Sequence, residues 1–295
     1  MTRHFLALLA ALALWATPAA AQDDLLDLLP ETSTPQYAKA TFKATRIISG
    51  HSIENMAAGH LDFRIAHRFG RLNSGATELW GLDFATMRMS LEYGLSDRLM
   101  VGIGRSSFEK VYDGFAKAKL LRQAAEGSEG SPVSLSLFAG GYLSAMPLDP
   151  KPPFRHRVSY AFQALIARKF SDRLSLQLSP TMLHRNVTYS IEDYNDVYAL
   201  GIGGRFKLSS RVSFNVEYFL LYPNRMSDQF HAPLSFGFDI ETGGHVFQLH
   251  FTNSLGMTER QFIGGTTGQW GKGDIHYGFN ISRTFSLAKR RPSAG

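Results

Sequence analysis

The sequence predicts an all-β protein: an antiparallel, transmembrane up-and-down β-barrel of twelve strands. Three observations predict it. Apolar residues recur with a period of two through most of the chain, tight turns alternate with long polar connections, and a secretory leader precedes both.

The leader comes first. Arg3 supplies a positive charge, Phe5 to Ala16 form an apolar run of twelve, and Ala19-Ala20-Ala21 before Gln22 fits small-residue cleavage. Twelve apolar residues fall short of the roughly 20 a spanning helix needs. The chain therefore divides into a signal peptide (1–21), an N-terminal periplasmic or plug segment (22–59), a β-barrel (60–287) and a basic C-terminal tail (288–295).

Beyond the leader no run of eighteen apolar residues follows, and there is no cysteine. A lipid-anchored cysteine, a disulfide framework and a thiolate metal site are thereby excluded. The net charge is a mild +6, and the Lys289-Arg290-Arg291 run is too short for a nucleic-acid arm, so no nucleic-acid partner is expected.

The strands follow from alternation. In Thr86 to Leu95, Met87, Met89, Leu91, Tyr93 and Leu95 share one face, while Arg88, Ser90 and Glu92 share the other. Val212 to Tyr222 repeats the pattern, its polar side weakening only towards Phe219 and Leu221. The same rhythm runs through Leu61, Phe63 and Ile65, through Leu234, Phe236, Phe238 and Ile240, and through Ile275, Tyr277, Phe279 and Ile281.

Alternation alone also suits a soluble sandwich or a lipocalin-like barrel, so the connections decide. Ser96-Asp97-Arg98, Ser171-Asp172-Arg173, Ser209-Ser210-Arg211 and Thr242-Gly243-Gly244 are tight links between strands. Between those hairpins lie longer polar stretches, about 144–156, 185–196, 224–232 and 253–273. Short turns on one rim and long loops on the other mark an outer-membrane barrel.

Strands are read near 60–69, 84–95, 99–107, 111–122, 133–142, 157–170, 174–184, 197–208, 212–223, 233–241, 245–252 and 274–287. This even number puts both barrel ends on one side, as single-chain bacterial barrels require. Thr41 to Ile48 is strand-like but lies outside the count; it pairs in the periplasm, plugs the lumen, or belongs to a fourteen-strand barrel. Asp23 to Tyr37, with Pro30 and Pro35, reads as a flexible or briefly helical approach. In the last strand Tyr277, Phe279, Ile281 and Phe285 resemble the aromatic signal read by the outer-membrane insertion machinery, although the chain continues beyond it.

The stretches Thr41-Phe42-Lys43-Ala44-Thr45-Arg46-Ile47-Ile48-Ser49-Gly50-His51-Ser52 and Leu61-Asp62-Phe63-Arg64-Ile65-Ala66-His67-Arg68-Phe69-Gly70 carry a family resemblance. So do Gly102-Ile103-Gly104-Arg105-Ser106-Ser107-Phe108-Glu109-Lys110 and Tyr112-Asp113-Gly114. The chain resembles a family of β-barrel proteins known as a domain of unknown function. The resemblance implies an outer-membrane barrel and no particular activity.

No G-x-S-x-G elbow, Walker loop or H-E-x-x-H is present, so neither an enzyme nor a cofactor is expected; a barrel hydrolase is the least favoured reading. Gly102-Ile103-Gly104 and Gly201-Ile202-Gly203-Gly204 sit inside strands and read as small residues in a barrel wall. His51, His60 and His67 would hold a metal only if they gathered near one rim, and their spacing fits no standard ligand motif, so no metal is expected.

With the apolar faces on lipid, Asp62, Arg64, Arg88, Glu92, Lys117, Lys119, Arg205, Lys207, Glu217 and Asp239 point into the lumen. A lumen of mixed charge has two readings. It lines a path for small polar or anionic solutes, which Lys117, Lys119, Arg205 and Lys207 favour, or it closes on itself as a structural or ligand-binding barrel.

Overall fold

The computed structural model describes residues 36–222, 226–242 and 245–287. The leader, most of the approach segment, the Gly243-Gly244 turn and the basic tail lie outside the described residues. Twelve strands among the described residues form one closed antiparallel barrel, each paired with its sequence neighbours. They are β1 (His60–Arg71), β2 (Ala85–Gly94), β3 (Leu99–Ser106), β4 (Val111–Leu121), β5 (Ser134–Ser144) and β6 (Val158–Lys169). The second half comprises β7 (Leu174–Arg185), β8 (Asp196–Lys207), β9 (Val212–Leu221), β10 (Leu234–Thr242), β11 (His245–Thr252) and β12 (His276–Ser286). β1 and β12 meet at the seam, His60 opposite Ser286, so both barrel ends share one rim, here the terminal rim.

The period of two has its structural meaning in which face is buried. Along β2, Thr86, Arg88, Ser90 and Glu92 are buried inside, whereas Met87, Met89 and Leu91 are exposed outside. Ile103 is 64% exposed on the outer wall while Lys117, one strand away and inward, is fully buried. This is the reverse of a water-soluble fold and suits lipid outside, where a charge at mid-depth costs on the order of 2 to 4 kcal/mol.

The recurring serine in the tight turns has a local cause. The Ser96 hydroxyl accepts from the amides of Arg98 (3.3 Å) and Leu99 (3.0 Å). Ser171 does the same for Arg173 and Leu174, and Ser209 for Arg211 and Val212. Each hydroxyl thus offers the two following turn amides a local acceptor.

Loop length departs from strict alternation at two places. On the loop rim β3 and β4 are joined only through Ser107–Lys110, while on the terminal rim β4 and β5 are joined by the longer 122–133. Each exception has work to do. The short link holds the β11–β12 loop low, because Gln261 donates to the Phe108 carbonyl at 2.7 Å. The long link receives the incoming chain, because the Ala38 amide donates to the Gln123 carbonyl at 2.9 Å.

Candidate functional site

The lumen is occupied by two stretches of the chain itself. From the terminal rim, residues 41–53 run into the barrel and are buried throughout except at Lys43. Thr41–Ile48 is therefore neither a fourteenth-strand partner nor a periplasmic strand but a lumen filler. Residues 45–52 turn back on themselves: the Ser52 amide donates to the Thr45 carbonyl, and the Ile47 amide to the Gly50 carbonyl, both at 2.9 Å. From the loop rim, the β11–β12 connection descends with a one-turn helix, Glu259–Phe262, and buries Met257, Phe262 and Ile263.

The wall grips the first filler largely through its backbone. Glu217 on β9 accepts from the amides of Ile48 (3.2 Å), Ser49 (3.1 Å) and Gly50 (2.9 Å), a carboxylate seated in a turn whose amides converge on it. Lys117 on β4 donates to the carbonyls of Ser52 (3.0 Å) and Glu54. Gln177, Gln248 and Asn280 donate to the carbonyls of His51, Ile47 and Ile48 at 2.8 to 3.0 Å. Nearer the terminal rim, Arg205 reaches the carbonyls of Ala40 (2.7 Å) and Thr41 (3.1 Å).

Side chains of the filler find matched places. The Arg46 guanidinium stands 3.5 Å from both Glu92 and Glu259 and over the Phe115 ring at 5.5 Å. Ile47 occupies space that Gly203 leaves, since a Cβ there would lie 2.2 Å from the Ile47 terminal methyl. The His51 ring sits between Phe115 and Phe138, its Nε2 3.8 Å from Glu259. Phe42, Ile47, Ile48 and Ile53 form one buried apolar cluster with Leu165 and Ala167 of β6.

Two cavities flank this segment, each about 10 Å³ and so large enough for one water. The wall itself is braced by the Arg88–Asp113 pair, with bonds of 3.0 and 2.5 Å in a buried setting.

Residues 42–285 match the family model described as "Membrane bound beta barrel domain (DUF5777)". The chain belongs to this family. The outer apolar face of the DUF5777 barrel is accordingly its lipid-contacting face. Among solved structures the chain is similar to KdgM porin, at 9% identity and a TM-score of 0.46 over 77% of this chain and 99% of that one. It is also similar to the outer membrane protein Omp33 of Acinetobacter baumannii, at 7% identity and 0.43 over 79% and 100% of the two chains. A third is an active-site variant of outer membrane phospholipase A from Escherichia coli, at 9% and 0.44 over 85% and 100%. No curated protein matches the chain.

In the DUF5777 barrel, Asp62, Arg64, Arg88, Glu92, Lys117, Arg205, Glu217 and Asp239 are buried on the inner wall. Lys119 and Lys207 share that inward face, half-buried at the terminal rim. Lys117 and Arg205 are spent on the filler's carbonyls and Glu217 on its amides. Arg64 donates to Thr45 of the filler, and Asp239 accepts from Gln248.

Of the residues that complete the site, Arg46 lies in the strand-like stretch outside the twelve-strand count and Glu259 in a loop, so neither follows from the inward parity of a wall strand. Gln177, Gln248 and Asn280 follow the same inward parity as the charges and are legible from it.

The histidines do not gather. His51 is in the lumen, His60 is at the terminal rim, and His67 faces outward, stacked on Phe279 at 4.9 Å. No group of three metal-ligating side chains lies together among the described residues.

Proposed function

We propose that this DUF5777 protein is a bacterial outer-membrane barrel, its terminal rim periplasmic, that stands closed and passes small polar solutes only when the N-terminal filler leaves. The observation that carries the reading is the burial of residues 41–53 inside the wall, gripped by charged side chains that a solute path would otherwise present.

Two further features support it. The filler is no member of the barrel ladder, so its withdrawal breaks no pairing between the twelve strands. The inward apolar residues Phe115, Phe138 and Phe219 have the filler and the β11–β12 loop as partners, and would be misplaced in an open aqueous pore.

The reading is of a barrier and not of a hydrolase. The lumenal imidazoles of His51 and His250 donate to no hydroxyl among the described residues. Assembly through the outer-membrane insertion machinery fits the outward Tyr277, Phe279 and Phe285 of β12.

Fractionation with heat-modifiable gel mobility tests the location: an outer-membrane band that shifts on heating is expected, and a soluble band without a shift overturns it. Planar-bilayer recording tests the closure. The full chain is expected to be silent and a variant lacking residues 36–56 to give discrete steps; steady conductance from the full chain would refute the plugged state.

A further inference from the structure

The grip on the filler has an unusual chemical character. Wall carboxylate, ammonium, amide and guanidinium groups bond to main-chain atoms of residues 40–54, and those atoms are the same in any polypeptide. Side chains are read as well, Thr45 by Glu92 and Arg64 and His51 between Phe115 and Phe138, and two places set the class of residue accepted. One is the Arg46 site, where Glu92 and Glu259 supply negative charge and Phe115 an aromatic face. The other is the aliphatic site, where Ile47 enters the space left by Gly203, and Ile48, beside Arg64, Ala66 and Arg68, belongs to the same buried apolar cluster.

When residues 41–53 leave, Glu217, Lys117, Gln177 and Asn280 all lose partners in a confined volume. Separate waters then take those places, whereas a second polypeptide in the same shape satisfies them all at once and releases that water. We propose that the lumen is a receptor site for a polypeptide turn carrying a basic residue followed by two aliphatic ones, filled here in cis by the chain's own N-terminal segment.

The ligand in trans is a basic peptide. Backbone bonds to the wall supply most of its affinity, and the carboxylate pair together with the glycine-made space selects it. Peptide recognition of this form follows the division known from strand addition, in which main-chain bonds hold and side-chain pockets discriminate. The inference rests on the plugged-barrel reading, and its test separates the two.

The test uses the full chain, folded first and cut afterwards. A protease recognition sequence is placed between the exposed Ala57 and Ala58, so that cleavage turns the filler into a peptide held without a covalent link. Its release is followed by fluorescence, and a labelled synthetic peptide copying residues 36–56 is then added to the emptied barrel.

Saturable rebinding is expected, with an Arg46→Gln peptide binding at least about tenfold more weakly and a scrambled peptide not binding. Conductance should appear on release and vanish on rebinding. A cut barrel that conducts but takes up no peptide overturns the receptor inference and leaves the plugged state standing. Conductance before the cut overturns the plugged state itself. If the cut segment stays seated, an Arg46→Gln segment must leave at least about tenfold faster; equal retention overturns the inference.

Discussion

The two stretches that fill the lumen are built on opposite principles. Residues 41–53 form little structure of their own beyond one turn and take nearly all their bonds from the wall. The β11–β12 loop holds itself together: the Phe262 and Ile263 amides donate to Thr258 and Glu259, and Asn253 donates to the Gly268 carbonyl at 2.9 Å. It is also tied to strands at both ends and latched on the loop rim by Arg260, which pairs with Glu109 and stands over the Tyr189 ring at 5.5 Å. The difference teaches which part is movable. A stretch whose order is lent by its surroundings loses it on leaving, while one that carries its own bonds moves only as a piece.

The comparison breaks most severely if the wall depends on either filler. Asp113→Ala strands the buried Arg88 guanidinium in the wall, and a loss of about 3 to 5 kcal/mol in unfolding free energy, read by denaturant titration, is expected, larger than for any filler variant. A smaller change would mean that the fillers, not the wall pair, set barrel stability.

Glu217→Gln should loosen the first filler alone, by about 1.5 to 3 kcal/mol for the lost charge-assisted bonds. Amide exchange at Ile48, Ser49 and Gly50 is expected to speed up at least tenfold, about the factor that 1.4 kcal/mol produces, while amides of β8 and β9 stay protected. Equal deprotection of the strands would show that filler and wall are one cooperative unit.

Glu109→Gln removes the partly exposed latch of the second filler and should cost at most about 1 kcal/mol. The expected readout is faster proteolysis within the β11–β12 loop, with unchanged exchange at Ile48–Gly50.

The smallest effect is in pH. Asp274, at the base of the same loop, has its carboxyl held below the usual carboxylate range, first by the Asn73 amide that donates to it and then by the Gln269 backbone amide and Arg71. A lowered carboxyl pKa contributes stability above the unfolded value of about 3.9, and that contribution is lost as pH falls through the folded value. Exchange at residues 269–275 should rise below about pH 4 and flatten in Asp274→Asn; acid sensitivity that persists in that variant would place the effect elsewhere.

The strands were readable because lipid outside and charge inside give each segment a two-sided pattern, as Met87 to Glu92 show. The fillers were less so, for a physical reason. Thr41 to Ile48 alternates like a strand, yet its bonds go to side chains on distant strands, which local pattern does not report. The β11–β12 loop is polar at Thr258, Glu259 and Gln261, so the usual equation of polar with exposed fails in a polar core. The one hint lay in Phe219, where the inward face of β9 turns apolar because Gly50 and Phe262 pack against it.

The seam gives the fillers a further meaning. Residues 41–53 lie just before β1, the β11–β12 loop lies just before β12, and β1 and β12 are the pair whose zipping turns a curved sheet into a cylinder. Arg46 and Glu259 meet across that future interior, one from each flank of the seam. The two strands that close the ring are therefore also the two whose preceding segments fill it, so the seam and the interior packing share the same stretches of chain.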